Sequence, residues 1–280
     1  MLPPGTTRHP WNDRFTWTLP DVEPTTITPQ QRAAFDRDGY LALPGLLDQQ
    51  TVDALVGDLD RLEAQVDAFL AGQEDGRFDI AESGAITFTL HAVLRSDAAR
   101  NFARHPALVG LCHDLVGPDV NLYWDQAVYK KPEKPRRFPW HQDTGYTFVE
   151  PQHYLTCWVA LTDATVDNGC PRVLPQVHRE GTLLHEWIDP IGWQCIDGDP
   201  DGAVPVEIPA GGVIAFSSLT PHSTGPNTTD GVRKAYIVQF GADGMLAVDG
   251  DWEHGGEPTG RRTCDDPQRQ FPVLRDGVPV

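Results

Sequence analysis

Two side chains able to share a metal ion stand two residues apart in Phe138-Pro139-Trp140-His141-Gln142-Asp143-Thr144-Gly145-Tyr146. On a strand or strand end, the period of two turns His141 and Asp143 to one face, where both can reach the same ion. The pair alone decides nothing. Ten histidines and forty acidic residues in 280 yield roughly one or two such pairs by chance at ordinary composition, and His178-Arg179-Glu180 is a second. A third ligand is what would separate them. Two histidines and one carboxylate on one side of an ion, with open positions opposite, suit oxidative chemistry at non-haem Fe(II). The best-placed second histidine is His222, which follows the apolar run 213–216 and precedes a turn, as a ligand on a barrel rim would. Eleven residues on, Arg233 opens the next strand. Pairing of those two strands as a hairpin would bring Arg233 beside His222, where its guanidinium can grip a carboxylate in bidentate fashion.

These residues need a scaffold, and the pattern of the chain supplies one. Residues 1–27, rich in Pro and Thr, are expected to run as an extended arm. Residues 28–119 should form a mostly helical cover. Thr28-Pro29-Gln30-Gln31 is a capping box with proline at the first helical position, so a short helix starts there and stops at Gly39. Residues 40–43 read as a strand. Asp48 caps a longer helix whose apolar residues, from Val52 to Leu70, recur at three and four. A strand is expected over 86–90, and helices after Ser96 and His105. From about Val120 to 243 short strands alternate with Gly, Pro, Asn and Asp turns, as in a β-sandwich or barrel. The expected strands are 120–130, 140–147, 154–161, 171–174, 203–208, 212–217, 220–223 and 233–240. The polar tail 244–280 is expected to be loosely held or to fold over the barrel mouth. Helices covering strands suggest one α+β domain spanning 1–280.

Composition narrows the partners. A formal net charge of −18 argues against nucleic acid or an anionic membrane surface. Five scattered cysteines without a Cys-x-x-Cys spacing fit buried thiols in a reducing compartment. With neither a basic-then-apolar leader nor a run of eighteen apolar residues, a cytoplasmic protein is expected. The basic segment 130–137 reads as a solvated loop, with contact to an anionic substrate or service as a mobile lid as the sharper reading.

Taken together the motifs resemble the phytanoyl-CoA dioxygenase-like family of Fe(II)/2-oxoglutarate-dependent oxygenases. The matching pieces are Trp140-His141-Gln142-Asp143, the strand 158–164 leading to Asp167-Asn168-Gly169-Cys170, Val173-Leu174-Pro175 with His178, and His222 through Asn227 to Arg233. They stand in the family's order over roughly 120–240, and Asp38-Gly39-Tyr40 resembles its start. The resemblance implies a double-stranded β-helix, or cupin-like jelly roll, with helices outside. It implies Fe(II) on His141, Asp143 and His222, and Arg233 on the distal carboxylate of 2-oxoglutarate. With O2 these would oxidise the cosubstrate to succinate and CO2 and hydroxylate a small molecule. Gln126, Lys130 and Phe138 correspond to cosubstrate or substrate contacts, and Thr156 is a second donor candidate for the distal carboxylate. Asp143 argues against halogenation, since halogenating relatives give up that carboxylate. Gln176-Val177-His178 replaces the family's Gly-Ser-His, which suggests an altered pocket and favours secondary metabolism. A cupin-like enzyme using O2 without 2-oxoglutarate, a non-catalytic binding protein and a structural zinc protein remain alternatives.

Overall fold

A computed structural model describes residues 2–280. The helices begin where the caps place them. Helix α1 (Pro29–Asp38) carries the complete Thr28–Gln31 capping box and ends at Gly39, whose φ of 81° is left-handed. A Cβ at Gly39 would also meet His178 and Thr220 side chains, so glycine is required there twice over. Helix α2 (Gln49–Ala71) starts on Asp48, α3 (Asp97–Phe102) on Ser96, and α4 (Pro106–Leu115) after His105. None of the described helices is long and apolar enough to cross a membrane.

Two antiparallel sheets face each other. The large sheet runs, strand by strand, Tyr40–Leu43, Val213–Ser217, Leu155–Ala160, Arg233–Ala242, Val120–Lys130, Ile86–Leu90, then two short strands at 81–82 and 77–78. The small sheet runs Val204–Pro205, Pro171–Val173, His222–Thr224, Phe138–His141. Alternation divides each central strand between two cores. Leu155, Cys157, Val159, Tyr236, Val238 and Phe240 pack outward beneath the helices, against Phe35, Leu55, Leu59 and Leu111. Trp158, Ile214, Phe216 and Ala235 turn inward, towards the small sheet. This is a jelly roll with its helices on the outside.

Four expectations need correction. The expected strand 140–147 is Phe138–His141, and Asp143 opens a 3-10 turn that runs to Gly145. His222 and Arg233 do not form a hairpin: the His222 strand lies in the small sheet and the Arg233 strand in the large one, because successive jelly-roll connections cross between sheets. The basic segment is a loop exposed at 133–135 and 137, but most of its cations are paired and Lys130 is buried. Lys131 pairs with Glu63 and Asp67, while Lys134 and Arg136 pair with Glu82. Nor is the tail loose. Leu246–Gly250 pairs with 149–150 and with Pro258–Thr263. Pro272–Arg275 adds to the edge of Val120–Lys130 and buries Val273 and Leu274.

The N-terminal arm is held by apolar insertion. Trp17 sits edge-on to both His153 and His178, at 4.9 and 4.4 Å between ring centroids. Burial pushes both imidazoles down to about 4. Above pH 6.5 they are neutral whether the chain is folded or not. Below it the unfolded chain takes protons that the folded one resists, so stability falls between pH 6.5 and 4, by at most about 1.4 kcal/mol per pH unit for each histidine. Urea unfolding at stepped pH checks this, and an acid limb that persists when both are replaced by glutamine would assign it elsewhere.

Candidate metal centre

His141 and His222 are direct cross-strand partners in the small sheet, with ring centroids 4.1 Å apart. The next register point pairs Thr224 with Phe138, so one residue, Ser223, opposes two, Pro139 and Trp140. That bulge shifts the side-chain alternation, which lets both Phe138 and His141 face the interior. Pro139 stands within the bulge, where the absence of an N–H is tolerated. Trp140 turns the other way, into a cluster with Leu174, Val177 and Leu183, so of the two aromatics Phe138 is cavity wall and Trp140 is core.

Asp143 reaches the same side as His141 although it lies beyond the strand. Gln142 keeps extended backbone angles and its side chain is clasped on the opposite side. Its Nε2 donates to the Gly181 and Leu219 carbonyls, at 3.0 and 2.6 Å, and its Oε1 accepts from the Leu183 N–H at 2.7 Å. With the middle residue pinned, its neighbours project together. Sequence reading passed over Gln142, a fully buried amide between two candidate ligands.

The hydrogen bonds settle which atoms face inward. Nδ1 of His141 is 2.9 Å from the Pro139 carbonyl and Nδ1 of His222 is 3.0 Å from the Thr220 carbonyl. A carbonyl only accepts, so both Nδ1 atoms carry the proton and both Nε2 atoms present lone pairs. Those atoms lie 4.0 and 3.7 Å from Oδ1 of Asp143. The other carboxylate oxygen accepts from the Thr156 hydroxyl at 2.5 Å, and Gln239 donates to that hydroxyl at 3.3 Å. One ligand atom from each of the three residues lies within 4.8 Å of the others. Three lone-pair atoms converge with no donor among them, an arrangement that a cation satisfies and that fits Fe(II). Burial and the neighbouring His222 hold the His141 pKa well below the usual imidazole value. Burial raises that of Asp143, against the opposing pull of His222, Thr156 and Gln239.

Thr156 is thus committed to Asp143, not free for a distal carboxylate as expected. Gln239 lies directly opposite it in the sheet and was missed; its inward phase on the Arg233–Ala242 strand was the available signal. Removing the hydroxyl in Thr156→Val should lower metal affinity about 10- to 100-fold, the range typical of lost outer hydrogen bonds. Metal titration followed by calorimetry tests this, and unchanged affinity would make the hydroxyl incidental.

Arg233 lines the same cavity, which has a volume of about 600 Å³. It is 1% exposed, its guanidinium lies 5.2 Å over the Trp158 ring, and its Nε and Nη1 have no partner. Burial lowers its pKa to about 10, which leaves it charged at neutral pH. A buried cation with two free donors calls for an anion. Gln126 also lines the cavity and accepts from the Trp124 indole at 3.3 Å. Lys130 is not brought to it. Its ammonium is buried and spent on the carbonyls of Arg136, Thr224 and Gly225. His178 keeps a structural place, bonded to the Asp36 carbonyl beside Trp17. All five cysteines are buried free thiols.

A jelly roll with two histidines and a carboxylate facing a buried arginine defines a metal-dependent oxygenase of the 2-oxoglutarate class. The chain belongs to the phytanoyl-CoA dioxygenase (PhyH) family, whose model matches residues 35–235. Methylphosphonate hydroxylase of Gimesia maris is 28% identical over 225 residues, covering 78% of this chain and 82% of that protein. The epimerase SnoN, solved with Fe3+, α-ketoglutarate and nogalamycin RO, is 25% identical with a TM-score of 0.65, over 90% of this chain and 94% of SnoN. EvdO2 of Micromonospora carbonacea var. aurantiaca, solved with 2-oxoglutarate, is 25% identical with a TM-score of 0.63, over 81% of this chain and 96% of its own. The protein is an Fe(II)/2-oxoglutarate-dependent dioxygenase.

Proposed function

We propose that His141, Asp143 and His222 hold Fe(II), that Arg233 anchors the distal carboxylate of 2-oxoglutarate, and that the whole chain serves as one catalytic domain hydroxylating a small molecule of secondary metabolism. The observation that carries this reading is the pair of histidine Nε2 atoms facing Asp143, in one cavity with a buried, unpartnered arginine. Bound there, Fe(II) would supply the redox centre for O2 chemistry in which 2-oxoglutarate gives two electrons, leaving as succinate and CO2, and the substrate C–H bond gives the other two as it is hydroxylated. The chain's own part is positioning. The Pro139 and Thr220 carbonyls fix the imidazole tautomers, and Thr156 leaves one oxygen of Asp143 free. Arg233 neutralises a carboxylate with guanidinium nitrogens that are buried and have no other partner. Phe138, against the His141 ring at 4.8 Å, keeps solvent from that flank. The unpartnered Arg233 favours this reading over a cupin-like oxygenase without 2-oxoglutarate, which has no need of a buried cation. The similarity to SnoN is the support for a natural-product substrate.

Anaerobic titration of the Fe(II)-loaded protein with 2-oxoglutarate should show saturable one-to-one binding, and succinate should accumulate with O2 and a substrate panel. Absence of both binding and succinate would sink the proposal.

A further inference from the structure

We infer that the substrate is an uncharged, largely apolar molecule long enough to reach from the metal centre to the cavity mouth, and not a coenzyme A thioester or a small phosphonate. The inference rests on the proposed oxygenase reading and deepens it. A cavity of about 600 Å³ lies within the roughly 300–1,000 Å³ range of pockets that enclose drug-sized ligands. His141, Asp143, His222 and Arg233 line it together with Gln126, Thr156 and Gln239, and its exposed charged residues are Asp79 and Arg95. Towards the mouth the wall is made by Val66, Phe69 and Leu70 of α2, Phe78 and Ile80 of the short hairpin, and Phe88. Phe69 is 51% exposed and Phe78 62% exposed, with their rings edge to face at 5.7 Å. Two half-exposed phenylalanines beside each other are an apolar surface awaiting cover, and here they continue a cavity that leads to the metal ligands.

Charge points the same way. A coenzyme A diphosphate or a phosphonate needs cations with free donors, since burying such an anion without them is costly. Most basic residues near the mouth lie off the cavity wall. Lys130 is held by three carbonyls, Lys131 by Glu63 and Asp67, and Arg77, Lys134 and Arg136 share the Glu82 carboxylate. Arg137 contacts the Gln194 amide and is not part of the wall. At the rim Arg95 and Asp79 carry opposite charges, and one Arg95 nitrogen donates to the Leu90 carbonyl. Arg233 is the buried cation of the wall, and the cosubstrate uses it.

The test uses the Fe(II)-loaded protein with 2-oxoglutarate, held anaerobic, and the neutral fluorophore N-phenyl-1-naphthylamine as probe. The expected result is saturable one-to-one binding that methylphosphonate does not displace. The uncharged S-octanoyl-N-acetylcysteamine should compete at least as well as octanoyl-CoA. In the double variant Phe69→Ser/Phe78→Ser, probe affinity should fall at least about tenfold while 2-oxoglutarate affinity stays the same. Both side chains are half exposed, and a melting curve confirms that the variant is folded. Displacement by methylphosphonate, octanoyl-CoA binding more than about tenfold tighter than its neutral counterpart, or unchanged probe affinity in the folded variant would each overturn the inference. If instead the wild type binds the probe but not 2-oxoglutarate, the oxygenase reading falls and the apolar ligand stands.

Discussion

Asp143→Ala abolishes hydroxylation and leaves the fold at least as stable as before. The carboxylate is the one anionic member of the three-residue cluster, and loss of a direct ligand should cost metal affinity more than the roughly 10- to 100-fold seen for outer hydrogen-bond partners. Its contribution to the metal-free fold has the opposite sign. Asp143 is a largely buried acid whose pKa burial raises, so its ionised form carries a desolvation penalty that His222, Thr156 and Gln239 only partly offset. Removing it relieves that penalty at the expense of a small void. The measurement is paired: succinate formation with substrate, and melting temperature of the metal-free protein. Activity near that of the wild type would take the carboxylate out of the metal site. A large fall in melting temperature would make Asp143 a structural residue instead.

Arg233→Ala should raise the Kd for 2-oxoglutarate by about 30-fold to several thousand-fold, the equivalent of the roughly 2–5 kcal/mol lost when one partner of a buried charge pair is truncated. Arg233→Lys should recover little of it, since an ammonium lacks the planar fork that meets a carboxylate with two parallel bonds. The metal-free protein should tolerate Arg233→Met well. In that state the guanidinium is a buried charge with two unpartnered donors, and an apolar side chain of similar length removes the cost. Anaerobic titration with 2-oxoglutarate reads the first effect and denaturant unfolding the second. Wild-type cosubstrate affinity in Arg233→Ala would take Arg233 out of the 2-oxoglutarate site.

What the sequence made legible was local. Thr28, Asp48 and Ser96 each cap the helix they were expected to cap, because a cap is written within three or four residues. The strand 120–130 follows from its own composition. The pairing of His141 with His222 is a register between strands 81 positions apart, and no local signal specifies it. The hairpin error has the same root: strands adjacent in the chain went to opposite sheets, and only the closed roll decides that. The pairing of the basic segment was missed because its partners, Glu63, Asp67 and Glu82, lie some fifty to seventy positions upstream. The motif order identified the fold where periodicity alone left sandwich and barrel open. Thr156 was placed correctly on its strand, but its direction depended on the turn that carries Asp143.

The register of His141 against His222 bears on how the protein responds to its metal. An ion held by both joins segments 81 residues apart, and so acts as a reversible cross-link. Because the ion is held by the folded arrangement and released from the open chain, it stabilises the fold by mass action, and the link falls on the short strands of the small sheet. The large sheet has its own helix-backed core and does not depend on the link. Metal loading would therefore tighten the Phe138–His141 and His222–Thr224 strands against each other within one wall of the roll.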